Sequence, residues 1–244
     1  MRRILLVKRM FLSISKEDKL RFLGHLDLLR TVERAVVRAE IPVAFSAGFN
    51  PHMKIAFDAA LGVGVSANPL YMDIRLEKDI SCDRVRNMLS AQLPEGITIH
   101  EIKEAEPDEE KLVTFFNEDV YEMEGPLSKD KNISGVKDNI NRFNQAESFI
   151  YTRVTPKKVR EMDIKPMILS PMRVSIKNDR AYLSFSLVRL QNGTVQPKDI
   201  WKLLAESFDM PWNPDEFICS RVGAYRVQKG KRMTPFSQMI TSDL

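Results

Sequence analysis

Asp27-Leu28-Leu29-Arg30-Thr31-Val32-Glu33-Arg34-Ala35-Val36-Val37-Arg38-Ala39-Glu40-Ile41-Pro42 is the stretch that decides the fold. Leu28, Leu29, Val32, Val36 and Val37 recur at helical spacing, and charged residues occupy the opposite face. The pattern predicts an amphipathic helix over residues 27–40, with Gly24 before it and Pro42 stopping it. Upstream, residues 3–14 are rich in Ile, Leu, Val and Phe and read as a buried strand. Downstream, residues 41–45 and 54–60 are short extended candidates around a glycine-bearing loop, and 71–76 alternates as a half-buried strand does. Residues 83–93 read as a helix with Ser81 as its N-cap, and 97–102 as a closing strand. The order βαββαβ is the ferredoxin-like arrangement.

After the acidic segment Glu104-Ala105-Glu106-Pro107-Asp108-Glu109-Glu110 a similar order returns. Residues 113–123, 149–154, 173–177, 181–188 and 217–227 read as strands, and 135–148 and 197–208 as helices. The fold class expected is α+β, two tandem ferredoxin-like (βαββαβ) units with either separate or shared cores. The expected division is 1–106, a linker over 107–111, 112–228, and a basic tail over 229–244.

Composition is that of an ordinary globular chain: 244 residues, 43% hydrophobic, 29% charged, net charge +4. No apolar run reaches the roughly 20 residues that span a bilayer, and the apolar core near the start is too short for a signal peptide. The expectation is a cytoplasmic protein without a membrane partner. Its two cysteines, Cys82 and Cys219, cannot supply the three or four thiolates of an iron–sulfur cluster, and they read as buried apolar residues.

Two motifs exceed what folding requires. Arg21-Phe22-Leu23-Gly24-His25-Leu26-Asp27 opens the first helix, where Asp27 is either an N-terminal cap or part of an anion site with Arg21 and His25. Ser46-Ala47-Gly48-Phe49-Asn50-Pro51-His52-Met53-Lys54 is a loop in which Asn50-Pro51 sets a turn. There His52 either bonds a backbone carbonyl or, with Lys54, joins a site. Arg30, Arg34 and Arg38 recur every four residues between the motifs. The spacing of His25, Asp27 and His52 matches no standard metal motif, so no metal is expected. Gly62-Val63-Gly64 lacks the rest of a phosphate-loop pattern and reads as a tight bend. Lys157, Lys158 and Arg160 form a second basic stretch, and Asp163-Ile164-Lys165-Pro166 reads as a salt-bridged turn.

These residues resemble the signature of the radical-SAM-linked proteins, a bacterial family that is also a domain of unknown function, 2344. The likeness lies in Leu20 through Asp27, Ala39-Glu40-Ile41-Pro42, Phe45 through Lys54, Phe57-x-x-Ala60-Leu61-x-Val63-Gly64, Met72-Asp73-Ile74 and Asp163 through Pro166. Met53 departs from it, standing where a proline is expected. The resemblance implies a partner radical SAM enzyme that carries the iron–sulfur cluster and S-adenosylmethionine, with no cofactor on this chain. At fold level, tandem ferredoxin-like units also resemble RNA-binding and CRISPR RNA-processing proteins.

Three functions are open on this sequence. The first is a non-catalytic accessory module presenting RNA, tRNA or rRNA, to the partner, binding through Arg21, His25, Asp27, Arg30, Ser46, Asn50, His52, Lys54, Lys157, Lys158 and Arg160. The second is a metal-independent ribonuclease or phosphoryl-transfer enzyme using His25, His52 and Lys54. The third is a structural protein–protein adaptor. Length matching adds a geometric expectation. A helix of about 14 residues spans roughly 21 Å, and a returning strand at 41–45 covers about 17 Å, which would bring His52 back to His25 in one cleft.

Overall fold

The computed structural model describes residues 8–106, 108–128, 133–155, 158–190 and 193–236, excepting the side chains of Val154, Thr155 and Lys158. The chain forms two compact units. The first comprises Met1–Phe116 and Ala224–Leu244, the second Asn117–Gly223. The first unit thus runs past the expected boundary at 106–112, and the described part of the expected tail, 229–236, belongs to it.

In the first unit the elements are β1 (Lys8–Lys16), α1 (His25–Arg38), β2 (Ile55–Phe57), β3 (Val65–Leu76), α2 (Cys82–Ser90), β4 (Ile99–Ala105) and the short α3 (Leu112–Phe115). β1 pairs antiparallel with β3 on one side and β4 on the other, and β2 pairs antiparallel with β3. The order is therefore β4-β1-β3-β2. β1 is buried along nearly its whole length, because both faces of the sheet are covered. Met10, Leu12 and Ile14 join Leu28, Val32 and Val36 of α1 and Val85 and Leu89 of α2 in one core. Phe11 joins Tyr71, Leu112, Phe116 and Ala224 in another. A core side chain of this size contributes about 1.5–3 kcal/mol when fully buried.

α1 runs two residues earlier than its apolar pattern suggests. Gly24 is its N-cap, and Glu40 takes the left-handed conformation (φ 53°) that usually falls to glycine. Glu40 N–H donates to Val37 O and Ile41 N–H to Val36 O, which satisfies the last carbonyls before Pro42. Ser81 caps α2 as expected, accepting from Arg84 N–H.

Residues 41–45 are not a strand. Val43 and Phe45 make only isolated bridges, to Leu76 and Met53. Residues 113–123 are likewise not one strand: α3 precedes a strand that starts at Glu118. The segment expected to link the units is docked on the first. The buried Arg9 guanidinium donates to the carbonyls of Glu109 and Glu110, Lys103 pairs with Glu109 at 2.8 Å, and Arg226 pairs with Glu110. An acidic run signals a solvated linker only while its charges lack partners.

The second unit contains β5 (Glu118–Pro126), α4 (Val136–Gln145), β6 (Ile150–Thr155), β7 (Lys158–Asp163), β8 (Arg173–Lys177), β9 (Arg180–Val188), α5 (Pro197–Ser207) and the first part of β10 (Ile218–Gln228). The strand order is β10-β5-β9-β8, and β6 and β7 form a separate hairpin. Trp201 and Trp212 stack at 4.3 Å in its core, and each indole N–H is satisfied by a backbone carbonyl. β7 is absent from the sequence reading, where Lys157, Lys158 and Arg160 are a basic stretch and 163–166 a turn. The last part of β10 returns to the first unit, where β11 (Lys231–Met233) pairs with residues 226–228. Among the described residues no helix is long and apolar enough to cross a membrane.

Candidate anion-binding site

The turn into α1 is built around a lysine that the sequence does not single out. Lys16 is 1% exposed, and its ammonium donates to Arg21 O at 3.2 Å and Leu23 O at 2.9 Å. Burial without a carboxylate pulls its pKa down to about 8. Arg21 O also accepts from Gly64 N–H at 2.8 Å, so the 62–64 bend is pinned to the same turn. The Arg21 guanidinium lies over the Phe22 ring at 4.8 Å.

His25 is the first residue of α1 and half-buried, with its ring edge-on to Phe57 at 6.0 Å. Its Nδ1 is buried and has no hydrogen-bond partner. Asp27 makes no cap hydrogen bond; it sits in the first turn, favourable to the helix dipole, 3.5 Å from Arg30. Both side chains are well exposed, so that pair is weak.

The second motif is a hairpin. Ser46 N–H donates to His52 O and Lys54 N–H to Ala44 O, with Phe45 facing Met53. Ser46 Oγ accepts from His52 N–H at 3.0 Å and is hydrogen-bonded to His52 Nδ1 at 2.8 Å. His52 is thus held by a hydroxyl and not by the backbone carbonyl considered from sequence, which leaves Nε2 to meet a ligand. Gly48 takes φ 127° at the tip, and Phe49 and Asn50 are exposed. Phe49 is fully exposed.

Two clefts lie beside this hairpin. One, of about 410 Å³, is lined by Arg30, Glu33, Arg34, Val37, Arg38 and Met53. The other, of about 260 Å³, is lined by His52, Lys54, Asp73, Arg75 and Lys111 over apolar groups that include Phe57 and Leu112. Met53 borders both. Neither cleft is lined by Arg21, His25 or Asp27, so the expected meeting of His25 with His52 in one cleft does not occur in them. The returning segment is β2, not residues 41–45, and it carries Phe57 to His25 while His52 stays behind in the hairpin. Arg34, Arg38, Arg75 and Lys111 are cleft residues that the sequence reading leaves out of its site. The four-residue arginine spacing was a signal for the first two. Nothing local marks Arg75 or Lys111.

Lys158 and Arg160 belong to β7 in the second unit, and Lys157 lies outside the described residues. Arg160 stands opposite Arg153 across the hairpin. The Asp163–Pro166 turn is held by backbone hydrogen bonds instead of a salt bridge. The Asp163 carboxylate accepts from Phe149 N–H and Lys165 N–H, which pull its pKa down, and Lys165 donates to Phe143 O and Asn144 O.

The family model of uncharacterized proteins conserved in bacteria, DUF2344, matches residues 9–197. The chain belongs to that family. The matched region of this DUF2344 chain contains both hairpin and helix motifs and all residues lining the two clefts. Among curated proteins none matches. Among solved structures it is similar to a chain of a Cbf5–Nop10–Gar1 complex, with a TM-score of 0.46 and 9% identity, over 87% of this chain and 48% of that one. It thus spans about half the length of that chain. It is also similar to an unknown protein from Galdieria sulphuraria, with a TM-score of 0.27 and 12% identity, over 75% of this chain and 82% of that one. Likenesses at these scores carry no functional argument.

Proposed function

We propose that this chain is a non-catalytic RNA-binding module, cytoplasmic, that presents tRNA or rRNA to a partner radical SAM enzyme. The observation that carries it is the cleft on α1. Arg30, Arg34 and Arg38 stand one turn apart on an exposed face, with Val37 and Met53 as an apolar floor. Glu33 is the one carboxylate in the lining, and the nearest ion pair is the long Arg30–Asp27 contact. Arg38 is steadied by donating to Gln92 Oε1 and O, and arginines beside an apolar floor suit an unstacked base with its phosphates at the rim. In the second unit, Arg153 and Arg160 in register are like charges directly opposite, a costly pair unless an anion is shared.

We read the architecture as two ferredoxin-like units. The strand orders β4-β1-β3-β2 and β10-β5-β9-β8 are the same 4-1-3-2 order, with β6–β7 inserted in the second. Fold alone assigns no function. Two cysteines cannot supply the three or four thiolates of a radical SAM cluster, so on this reading, which rests on the family resemblance, the partner carries the cluster and S-adenosylmethionine.

Fluorescence anisotropy with a structured RNA at 0.15 M salt, on the order of the physiological value, tests the binding. The expected Kd is tighter than about 10⁻⁴ M, and Arg30→Glu/Arg34→Glu/Arg38→Glu weakens it at least about tenfold. Binding no tighter than about 10⁻⁴ M, or unchanged in the triple variant, refutes the reading. Co-purification with a radical SAM enzyme from the native host tests the partner; its absence refutes the accessory role. The ribonuclease alternative needs both imidazoles at one phosphodiester, and neither cleft offers that arrangement.

A further inference from the structure

We infer that the smaller cleft is a receptor for a phosphate monoester, formed by Lys54, Arg75, Lys111 and His52. Its charge is unbalanced. Asp73 is the one carboxylate in the lining, and it is already committed. Arg9 Nε donates to both Asp73 oxygens, at 3.2 and 3.0 Å, and Nη2 to Oδ2 at 2.6 Å. The side chains of Lys54, Arg75 and Lys111 have no carboxylate or hydrogen-bond partner among the described residues. Three cations around one small space repel each other unless an anion enters.

The arrangement is held in place and not left to chance. Arg9 is buried, and its Nη1 and Nη2 donate to the carbonyls of Glu109 and Glu110, the two residues before Lys111. Lys103 and Arg226 hold the carboxylates of the same two residues. A buried ion pair therefore fixes where Lys111 enters the cleft. On the hairpin side, Ser46 orients the His52 ring through Nδ1. β3 places Arg75 at its edge, where Arg75 N–H is bonded to Lys54 O at 3.0 Å.

Size and charge select the ligand. About 260 Å³ lies just below the roughly 300 Å³ at which pockets begin to enclose whole small molecules, so the cleft suits an anionic head group. Two ammonium groups and a guanidinium carry three positive charges, more than the single negative charge of a carboxylate or a phosphodiester balances. A dianion with three acceptor oxygens uses them. The group could come from the 5′ end of an RNA or from a free mononucleotide. The RNA source rests on the function proposed above; the phosphate chemistry does not.

The test compares one single-stranded RNA bearing either a 5′-phosphate or a 5′-hydroxyl, labelled at its 3′ end, in anisotropy titrations with the full chain. Direct titration with AMP runs alongside. The expected result is binding at least about tenfold tighter for the 5′-phosphate, with the preference lost in Lys111→Gln and in Arg75→Gln. Circular dichroism confirms that both variants fold; Lys111 is exposed, so that variant keeps the core. Equal binding of the two RNAs, together with no saturable AMP binding, overturns the phosphate site and leaves the RNA reading standing. Saturable AMP binding that Lys111→Gln abolishes, with no RNA bound, supports the site and overturns the RNA reading. A preference that survives both variants also overturns the site.

Discussion

Asp73→Ala tests the buried ion pair on which the first unit and its smaller cleft both rest. The Arg9 side chain is 1% exposed and that of Asp73 11%, and three contacts of 2.6–3.2 Å join them. Removing the carboxylate leaves a guanidinium in the interior with the carbonyls of Glu109 and Glu110 and the face of Phe11, 4.7 Å away, but no counter-charge. Breaking a buried pair from one side costs about 3–5 kcal/mol, because the stranded charge keeps its desolvation penalty. At about 1.4 kcal/mol per factor of ten, protected amides of β1 and β3 then exchange roughly 150-fold to 4000-fold faster. Both tryptophans lie in the second unit, so fluorescence does not follow this change, and native-state hydrogen exchange read by mass spectrometry does. The double substitution Arg9→Met/Asp73→Leu restores most of the protection, since an apolar pair of similar volume is often neutral. Exchange in Asp73→Ala less than about fivefold faster refutes the claim that this pair is an uncompensated interior charge when cut. Full loss of protection in the double variant refutes it from the other side.

Two further outcomes follow from burial. Lys16 has its pKa lowered to about 8 from its ordinary 10.5, so between those values the unfolded chain binds more protons than the folded one. Stability from this group therefore rises as pH increases through that window, and Lys16→Met removes the rise in urea midpoints measured from pH 7.5 to 10.5. A midpoint profile unchanged by Lys16→Met contradicts the assignment. Cys219 is buried with its thiol pushed up to about 12, whereas Cys82 is half-exposed. A thiol-exchange reagent at neutral pH is expected to label Cys82 alone, and labelling of Cys219 in the native protein defeats that expectation.

Much of the architecture was legible because it follows from periodicity. The apolar stripe of α1, the extended patterns at 71–76 and 173–177, and the cap at Ser81 are local signals, and the structure has the corresponding elements, although 71–76 is buried on both faces and not half-buried. What was not legible depends on tertiary partners. The acidic run at 104–110 reads as a linker until Arg9, Lys103 and Arg226 are known to meet it. Lys16 and Arg9 lie in an apolar strand where a charged residue would be read as facing solvent, and both are buried. Phe115 and Phe116 look like strand residues, but α3 turns them so that Phe116 stacks on Tyr71 at 4.8 Å.

The candidate site shows the same division between local and tertiary information. Both motifs were singled out by residue chemistry, and neither cleft joins them. Length matching assumed that the chain after α1 returns at once along a strand. Instead the turn at Glu40 and the bridges at Val43 and Phe45 send it first into the Ser46–His52 hairpin. Only then does β2 run back beside β3, so the residue delivered to His25 is Phe57. The hairpin stays where the α1 arginines and the β3 edge can both reach it, and Met53 borders the clefts on either side. His52 consequently shares a cleft with Lys54, Arg75 and Lys111, cations drawn from three separate segments. A group of that kind suits an anion, and neither cleft pairs the two imidazoles that the cleavage reading requires.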